Sequence, residues 1–116
     1  MSNKSLIYLA VPYSHPDIKI REHRFKQVNK VAAKLMADGH HIYSPISHTH
    51  PIALAGKLPT TWEYWKEYDY AFLKHSKKLL VLKLDGWETS AGVKGEIEIA
   101  NELNIPVEYL DMCVNK

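Results

Sequence analysis

Short apolar runs alternate with longer stretches of helical periodicity along this chain. The first run, residues 6–11, is continuously apolar, which is typical of a strand buried on both faces of a parallel sheet. In the stretch that follows, Val28 and Leu35 belong to an apolar set at three- and four-residue spacing, so they share one helix face. Pro16 suits the first turn of that helix, and Gly39 suits the position just past its end. The pattern predicts strands at 6–11, 41–44, 78–84 and 105–109, and helices at about 16–38, 62–75 and 91–104.

The order of these elements predicts an α/β domain, a Rossmann-like three-layer sandwich with a four- to five-stranded, mainly parallel sheet. Ligands of such sheets bind beyond the carboxyl ends of the strands, near the point where the strand order reverses. Three loops are expected there: residues 12–16, 44–61 and 85–92. The second of these carries no clear helical or strand pattern, and we interpret it as a loop.

Size and composition fit one ordered domain over residues 1–116, with no internal repeat or linker. Hydrophobic residues make up 46% of the chain and charged residues 24%, which argues against disorder. A formal net charge of +2 is too small to indicate a nucleic-acid polymer or a membrane as partner. The single cysteine, Cys113, and an N-terminal apolar run too short for a signal peptide or a span predict a cytoplasmic protein.

The most informative segment is residues 90–96, at the start of the third predicted helix. Gly92 and Gly95 allow backbone to approach a ligand, and the helix N-terminus favours an anion or a polar group. Glu96 lies about one turn into the helix, where a carboxylate could stabilise or attack the sugar carbon of an N-glycoside while a second acid protonates the departing base. Glu98 would point about 200° away, so only one of the two acids faces the pocket. On spacing alone, a surface glutamate favoured by the helix dipole is the commoner explanation.

Three motifs together resemble the nucleoside 2-deoxyribosyltransferase superfamily, which includes the 2'-deoxynucleoside 5'-monophosphate N-glycosidases. Tyr8, in the first strand, matches the tyrosine that supports the nucleophilic glutamate in that superfamily. Asp69, before a hydrophobic strand, matches its functional aspartate. Ser90, Gly92 and Glu96 match its Ser or Asp, Gly and catalytic Glu at the same spacing. The resemblance covers most of the chain and implies that Glu96, Asp69 and Tyr8 are catalytic and that Ser90 and Gly92 bind substrate.

The chain most resembles a small phage and bacterial branch of this superfamily, whose hallmarks match residues 44–52, 62–69 and 86–93. It departs from the monophosphate glycosidases after the first strand, where residues 12–17 hold no glycine or arginine to grip a 5'-phosphate. Arg21 or Arg24 could reach that place from the next turn. Ser90, by contrast, resembles the serine that contacts phosphate in the glycosidases. These two observations disagree about binding of a 5'-phosphate. Ser90 at a helix N-terminus slightly favours a nucleotide over a nucleoside.

Several other side chains have both a functional and a structural explanation. His48 and His50 are interpreted as lining the pocket, although they also suit a plain loop, and their spacing does not indicate a zinc site. Trp87 could stack on a base, and Tyr13 could form a pocket wall. Both are also ordinary packing residues. No metal site is predicted, and the tryptophans at 62 and 65 are expected in the core or a subunit interface.

These observations predict an enzyme of nucleotide metabolism, a hydrolase or transferase that cleaves or transfers at the N-glycosidic bond of a 2'-deoxynucleotide or 2'-deoxynucleoside. In this hypothesis Glu96 attacks C1' with retention, Tyr8 orients its carboxylate, and Asp69 assists the base or the sugar hydroxyl. No cofactor is required, the partner is a small-molecule nucleoside or nucleotide, and the resemblance implies a homodimer or larger homo-oligomer. The alternative is a non-catalytic nucleotide-binding or sensor domain on the same fold.

Overall fold

The computed structural model describes residues 6–111, which form a four-stranded parallel sheet with helices on both faces. The sheet order is β2-β1-β3-β4, and all three strand pairs are parallel. This confirms the α/β class and the three-layer architecture, with four strands within residues 6–111. The elements are β1 (Leu6–Ala10), α1 (Ile18–Ala37), β2 (His41–Tyr43), α2 (Pro45–Gly56), α3 (Trp62–Leu73), β3 (Ser76–Leu82), α4 (Ala91–Glu102) and β4 (Val107–Leu110).

Alternate side chains of β1 enter two different cores, because successive residues of a strand face opposite sides of the sheet. Ile7 and Leu9 pack in the core that includes Val28 of α1. Tyr8 and Ala10 enter the opposite core, which is closed by side chains of α3 and α4. Tyr8 is thus directed towards the two helices that carry the candidate acids.

Residues 45–56, interpreted from the sequence as part of a loop, form the helix α2. The interpretation as a loop was therefore wrong for these residues. Ser44 caps its N-terminus by accepting a hydrogen bond from the Ser47 amide, and Pro45 occupies the first turn. Pro51 lies inside the helix, where it removes one backbone donor and hides the helical pattern from a sequence argument. The helix ends at Lys57, which adopts the left-handed conformation with φ of 56°.

The other element boundaries differ from the predicted ones by only a few residues. The first helix starts at Ile18 rather than near Pro16, because the Asp17 side chain caps it by accepting from the Lys19 amide at 2.9 Å. Gly39 has φ of 102° just after the helix, as expected for a residue past its end. Within residues 6–111, no helix is both long and apolar enough to cross a membrane. Cys113, on which part of the prediction of a cytoplasmic protein rests, lies outside the described residues.

The strand order reverses at the centre of the sheet, between β1 and β3. The chain moves from β1 to β2 on one side and from β3 to β4 on the other. The loops that leave β1 and β3 therefore diverge, and a crevice opens beyond the carboxyl ends of these two strands.

Candidate active site

An open cleft occupies this crevice. The segment after β1 contributes Tyr13, α2 contributes Thr49, and α3 contributes Trp65 and Asp69 to its walls. The first turns of α4 contribute Ser90, Gly92 and Glu96. The cleft thus collects side chains from both faces of the sheet at one edge.

Tyr8 and Glu96 form a buried hydrogen bond beneath this cleft. The Tyr8 hydroxyl donates to Oε2 of Glu96 at 2.5 Å, across 88 positions of the sequence. Tyr8 is 0% exposed and Glu96 5% exposed. Glu98 is exposed on the outer side of α4, as the helical spacing predicts for a residue two positions on. Of these two acids, only Glu96 lines the cleft.

Asp69 supplies a second buried carboxyl group in the same cleft. It lies in the second half of α3, is 7% exposed, and lines the cleft together with Glu96. Its charge acts on Glu96 and on Tyr8, which places the three side chains in one electrostatic cluster. The fold therefore brings together Tyr8, Asp69 and Glu96.

Burial disfavours the charged form of both carboxyl groups. It raises the pKa of Asp69 to about 7, against the opposing effect of the Tyr8 hydroxyl. Burial and then the neighbouring charge of Asp69 raise the pKa of Glu96 well above its usual range, while the hydrogen bond from Tyr8 lowers it. Two neighbouring buried carboxyl groups oppose each other's ionisation, so a double negative charge on the pair is disfavoured.

The Tyr8 hydroxyl acts on both carboxyl groups. Its 2.5 Å hydrogen bond ends on Glu96, and it lowers the pKa of both Glu96 and Asp69. A hydrogen bond to a carboxylate stabilises its charged form, so this contact favours the anionic form of Glu96, against burial and the charge of Asp69, which oppose it.

Aromatic rings pack beside Tyr8 in this part of the molecule. The Tyr43 ring stacks on Phe72 with centroids 4.3 Å apart and lies 5.7 Å from the Tyr8 ring. Phe72 in turn contacts Tyr68 of α3, with centroids 5.2 Å apart. Tyr43 and Phe72 thus extend the apolar core in which Tyr8 is buried.

The two glycines at the start of α4 have different surroundings. A Cβ at Gly92 would lie in ordinary van der Waals contact, 3.9 Å from the Ser90 and Trp62 side chains, so this position has room for a methyl group. A Cβ at Gly95 would lie 2.4 Å from the Trp62 ring. Gly95 thus serves the close packing of α3 on α4, and the prediction that it admits a ligand was wrong. The Ser90 hydroxyl accepts from the Val93 amide at 3.2 Å, which caps α4 at the cleft wall.

Tyr13 lines the cleft, whereas His50 lies behind it. The Tyr13 hydroxyl is hydrogen-bonded to Nδ1 of His50, whose side chain is only 2% exposed. Nε2 of His50 lies 2.8 Å from Oε2 of Glu22 in α1. Sequence reasoning missed Glu22, because no local pattern distinguishes it from the other charged residues of α1.

The structure does not bring His48 or Trp87 to the wall of the cleft. His48 is exposed, with its ring 6.3 Å from the Tyr68 ring, and Trp87 lies against Tyr109 with centroids 5.5 Å apart. Trp62 and Trp65 line the cleft instead. Their helical spacing signalled an apolar face, but it did not reveal that this face borders a ligand site.

The arginines considered for phosphate binding support the loops around the cleft. Arg24 donates from Nη1 to the Ser14 carbonyl and from Nη2 to the Asp85 carbonyl, both at 3.2 Å. Arg21 donates to the His15 carbonyl and borders a separate groove next to the cleft. Among residues 6–111, no group of three or more His, Cys, Asp or Glu side chains is arranged to hold a metal ion.

The fold and the site define an α/β domain with two buried carboxyl groups of raised pKa at the switch point of its sheet. The chain belongs to the family described as Domain of unknown function (DUF1937), whose model matches residues 5–112. A search of curated proteins finds no match to this chain.

Proposed function

We propose that the protein cleaves or transfers at the N-glycosidic bond of a 2'-deoxynucleotide or 2'-deoxynucleoside, with Glu96 as the nucleophile. The observation that carries the proposal is the buried hydrogen bond from Tyr8 to Glu96, with Asp69 in the same cleft. The resemblance to the nucleoside 2-deoxyribosyltransferase superfamily rests on these same three residues. Geometry and resemblance therefore support one assignment.

The first step forms a covalent intermediate with the sugar. Oε2 of Glu96 is held by Tyr8, and Oε1 attacks C1' of the sugar. The C1'–N bond breaks, its electron pair stays with the base, and the proton of Asp69 passes to the base. Neutral Asp69 is suited to this role because burial raises its pKa to about 7.

The second step regenerates both carboxyl groups. Water attacks C1', and the Asp69 carboxylate accepts its proton. The ester bond to Glu96 breaks, and its electron pair returns to the carboxylate. Two displacements at C1' give net retention. A second nucleobase in place of water gives transfer instead of hydrolysis.

The walls of the cleft suit the remaining parts of such a ligand. Trp62 and Trp65 provide aromatic surface for a base. Ser90 and Gly92 stand at the N-terminus of α4, where backbone amides and the helix dipole favour a phosphate or a sugar hydroxyl. These features support a nucleotide somewhat more than a nucleoside.

The test is release of free base from the common 2'-deoxynucleosides and their 5'-monophosphates, followed by chromatography. Glu96→Gln is expected to abolish release, because an amide does not attack C1'. Glu98→Gln is the matched control, since it makes the same change two residues away on the exposed side of α4. Mass spectrometry of the intact wild-type protein during turnover should find a deoxyribosyl adduct on Glu96. Base release that survives Glu96→Gln would remove this mechanism.

One observation favours a second candidate, a nucleotide-binding or sensor domain without turnover. Burial and the charge of Asp69 raise the pKa of Glu96 well above its usual range, and a protonated Glu96 would bind a ligand without attacking it. In that case calorimetry would detect nucleotide binding that Glu96→Gln preserves, and no base would be released from any substrate.

The proposal also takes the protein as cytoplasmic and as a homodimer or larger homo-oligomer. A surface groove between α3 and α4, lined in part by Trp62, Tyr70 and Ile99, offers apolar area for contact between copies. Sedimentation velocity over a range of protein concentrations tests the oligomeric state. A monomer at all concentrations would contradict it.

A further inference from the structure

A hydrogen-bonded chain of three side chains runs from α1 to the wall of the cleft. Glu22 of α1 contacts Nε2 of His50, and Nδ1 of His50 contacts the Tyr13 hydroxyl. His50 is 2% exposed, and the Phe25 ring packs against it with centroids 4.4 Å apart. Of these three side chains, only Tyr13 lines the cleft. The mechanism proposed above does not involve any of the three.

Glu22 at one end sets the direction of both hydrogen bonds when the His50 ring is neutral. A carboxylate accepts hydrogen bonds and does not donate them, and the Glu22 side chain is 38% exposed to solvent. Nε2 of His50 therefore carries the proton in the 2.8 Å bond to Glu22. In the neutral ring Nδ1 is then a lone-pair acceptor, and the Tyr13 hydroxyl donates to it. The oxygen of Tyr13 is left with lone pairs, on which the nearby Arg21 side chain also acts.

We propose that Tyr13 is a specificity residue that accepts a hydrogen bond from a hydroxyl or amino group of the ligand, with its polarity enforced by His50 and Glu22. The proposal rests on the proposed function in that the ligand is a nucleotide or nucleoside. A 2'-deoxynucleoside 5'-monophosphate of adenine, guanine or cytosine offers two donors of this kind, the 3'-hydroxyl of the sugar and the exocyclic amino group of the base. A ligand group that only accepts, such as a carbonyl, would meet lone pairs and lose a hydrogen bond.

Binding measurements with three probes identify which group of the ligand donates a hydrogen bond to Tyr13. The Glu96→Gln background prevents consumption of the probes during calorimetry. 2'-Deoxyadenosine 5'-monophosphate carries both donors, its 2',3'-dideoxy analogue lacks the sugar hydroxyl, and the 2'-deoxypurine riboside 5'-monophosphate lacks the amino group. Tyr13→Phe should weaken binding of the first probe about fivefold to tenfold, the range for one neutral hydrogen bond. Tyr13→Phe should not change the affinity for the analogue that lacks the group donating to Tyr13.

Variants of Glu22 test whether it acts through His50 and Tyr13. Glu22→Ala should weaken binding when Tyr13 is present and have no further effect in Tyr13→Phe, because the two changes remove one interaction. Glu22→Gln keeps an oxygen that accepts from Nε2 and should restore affinity. Equal loss from Glu22→Ala with and without Tyr13 would mean that Glu22 is merely structural.

Nitrogen NMR of histidine in the ligand-free protein tests the polarity directly. The His50 signal should show a protonated Nε2 and an unprotonated Nδ1. A proton on Nδ1 would overturn the inference, as would equal losses from Tyr13→Phe on all three probes, no loss on any, or no binding of any. Binding that follows the expected pattern without base release from any substrate would refute the proposed reaction and leave the role of Tyr13 standing.

Discussion

In the proposed mechanism, one tyrosine hydroxyl influences how charge is distributed between two carboxyl groups. Tyr8, Asp69 and Glu96 are all buried, so each hydrogen bond or charge in the cluster acts with little screening by water. The O–H of Tyr8 ends on Glu96 and stabilises its anionic form. In the proposed mechanism, this hydrogen bond distinguishes Glu96, the nucleophile, from Asp69, the acid.

We expect Tyr8→Phe to reduce base release roughly 10- to 100-fold, the range for loss of one hydrogen bond to a charged group. Without this donor the pKa of Glu96 moves further upward, because the hydrogen bond is the effect that lowers it. The acid limb of the pH–rate profile should therefore move to higher pH. Initial rates of base release measured across the pH range check both effects.

Tyr43→Phe is the matched control for that experiment. It removes a hydroxyl on the same face of the sheet, where the Tyr43 ring lies 5.7 Å from the Tyr8 ring, but it leaves the hydrogen bond to Glu96 in place. An equal shift of the acid limb in both variants would show that general packing, and not the Tyr8 hydroxyl, sets the charge of Glu96.

At the scale of elements, the sequence predicts well those helices and strands whose type is determined by residues close together along the chain. The apolar run of β1 and the periodicity of α1 depend on neighbouring residues, and their type and order were predicted. The helix α2 was missed because Pro51 breaks the local rule, although Ser44 and Pro45 carried a valid start signal. Close contacts between elements, such as Gly95 against Trp62, depend on how helices are placed on the sheet, and no local pattern encodes that.

Gly95→Ala tests how closely α3 and α4 approach. A Cβ at this position would lie 2.4 Å from the Trp62 ring, so either the ring or the helix must move. We expect the free energy of unfolding to fall by about 1–3 kcal/mol, the usual cost of overpacking. Urea unfolding followed by circular dichroism measures the change. Because Trp62 also lines the cleft, nucleotide affinity should fall as well.

Gly92→Ala is the companion variant for stability. It places the same methyl group three residues earlier on α4, where the nearest atoms would be 3.9 Å away. Its urea midpoint should equal or exceed that of the wild type, since alanine is the better helix former. If both glycine variants lose stability alike, helix propensity or backbone conformation, and not contact with Trp62, would account for the loss.

At the scale of the whole molecule, the candidate site exists only when the sheet is assembled. Its members come from β1, α3 and α4, and the hydrogen bond that joins two of them spans 88 positions. From the residues, the resemblance indicated Tyr8, Asp69 and Glu96 as a set. It did not indicate that both acids are buried, because burial is a property of the folded chain. Nor did it indicate that Glu22 is linked to Tyr13 by hydrogen bonds through His50.

Withdrawal of two acids from water makes the stability of the fold depend on pH. The pKa of Asp69 is raised from 3.8 to about 7 in the folded protein, so between these values the folded state holds a proton that the unfolded chain has released. The free energy of unfolding should therefore fall as pH rises from about 4 to 7, and buried Glu96 acts in the same direction.

Asp69→Asn should make this decline shallower and raise stability at pH 8 relative to the wild type. Glu67→Gln, an exposed change on the same helix, should leave the slope unaltered. Urea unfolding of the three proteins at several pH values isolates the contribution of Asp69, since the histidines contribute equally to all. A parallel decline in the wild type and Asp69→Asn would show that Asp69 is ionised in the folded protein, and it would then be unable to protonate the departing base.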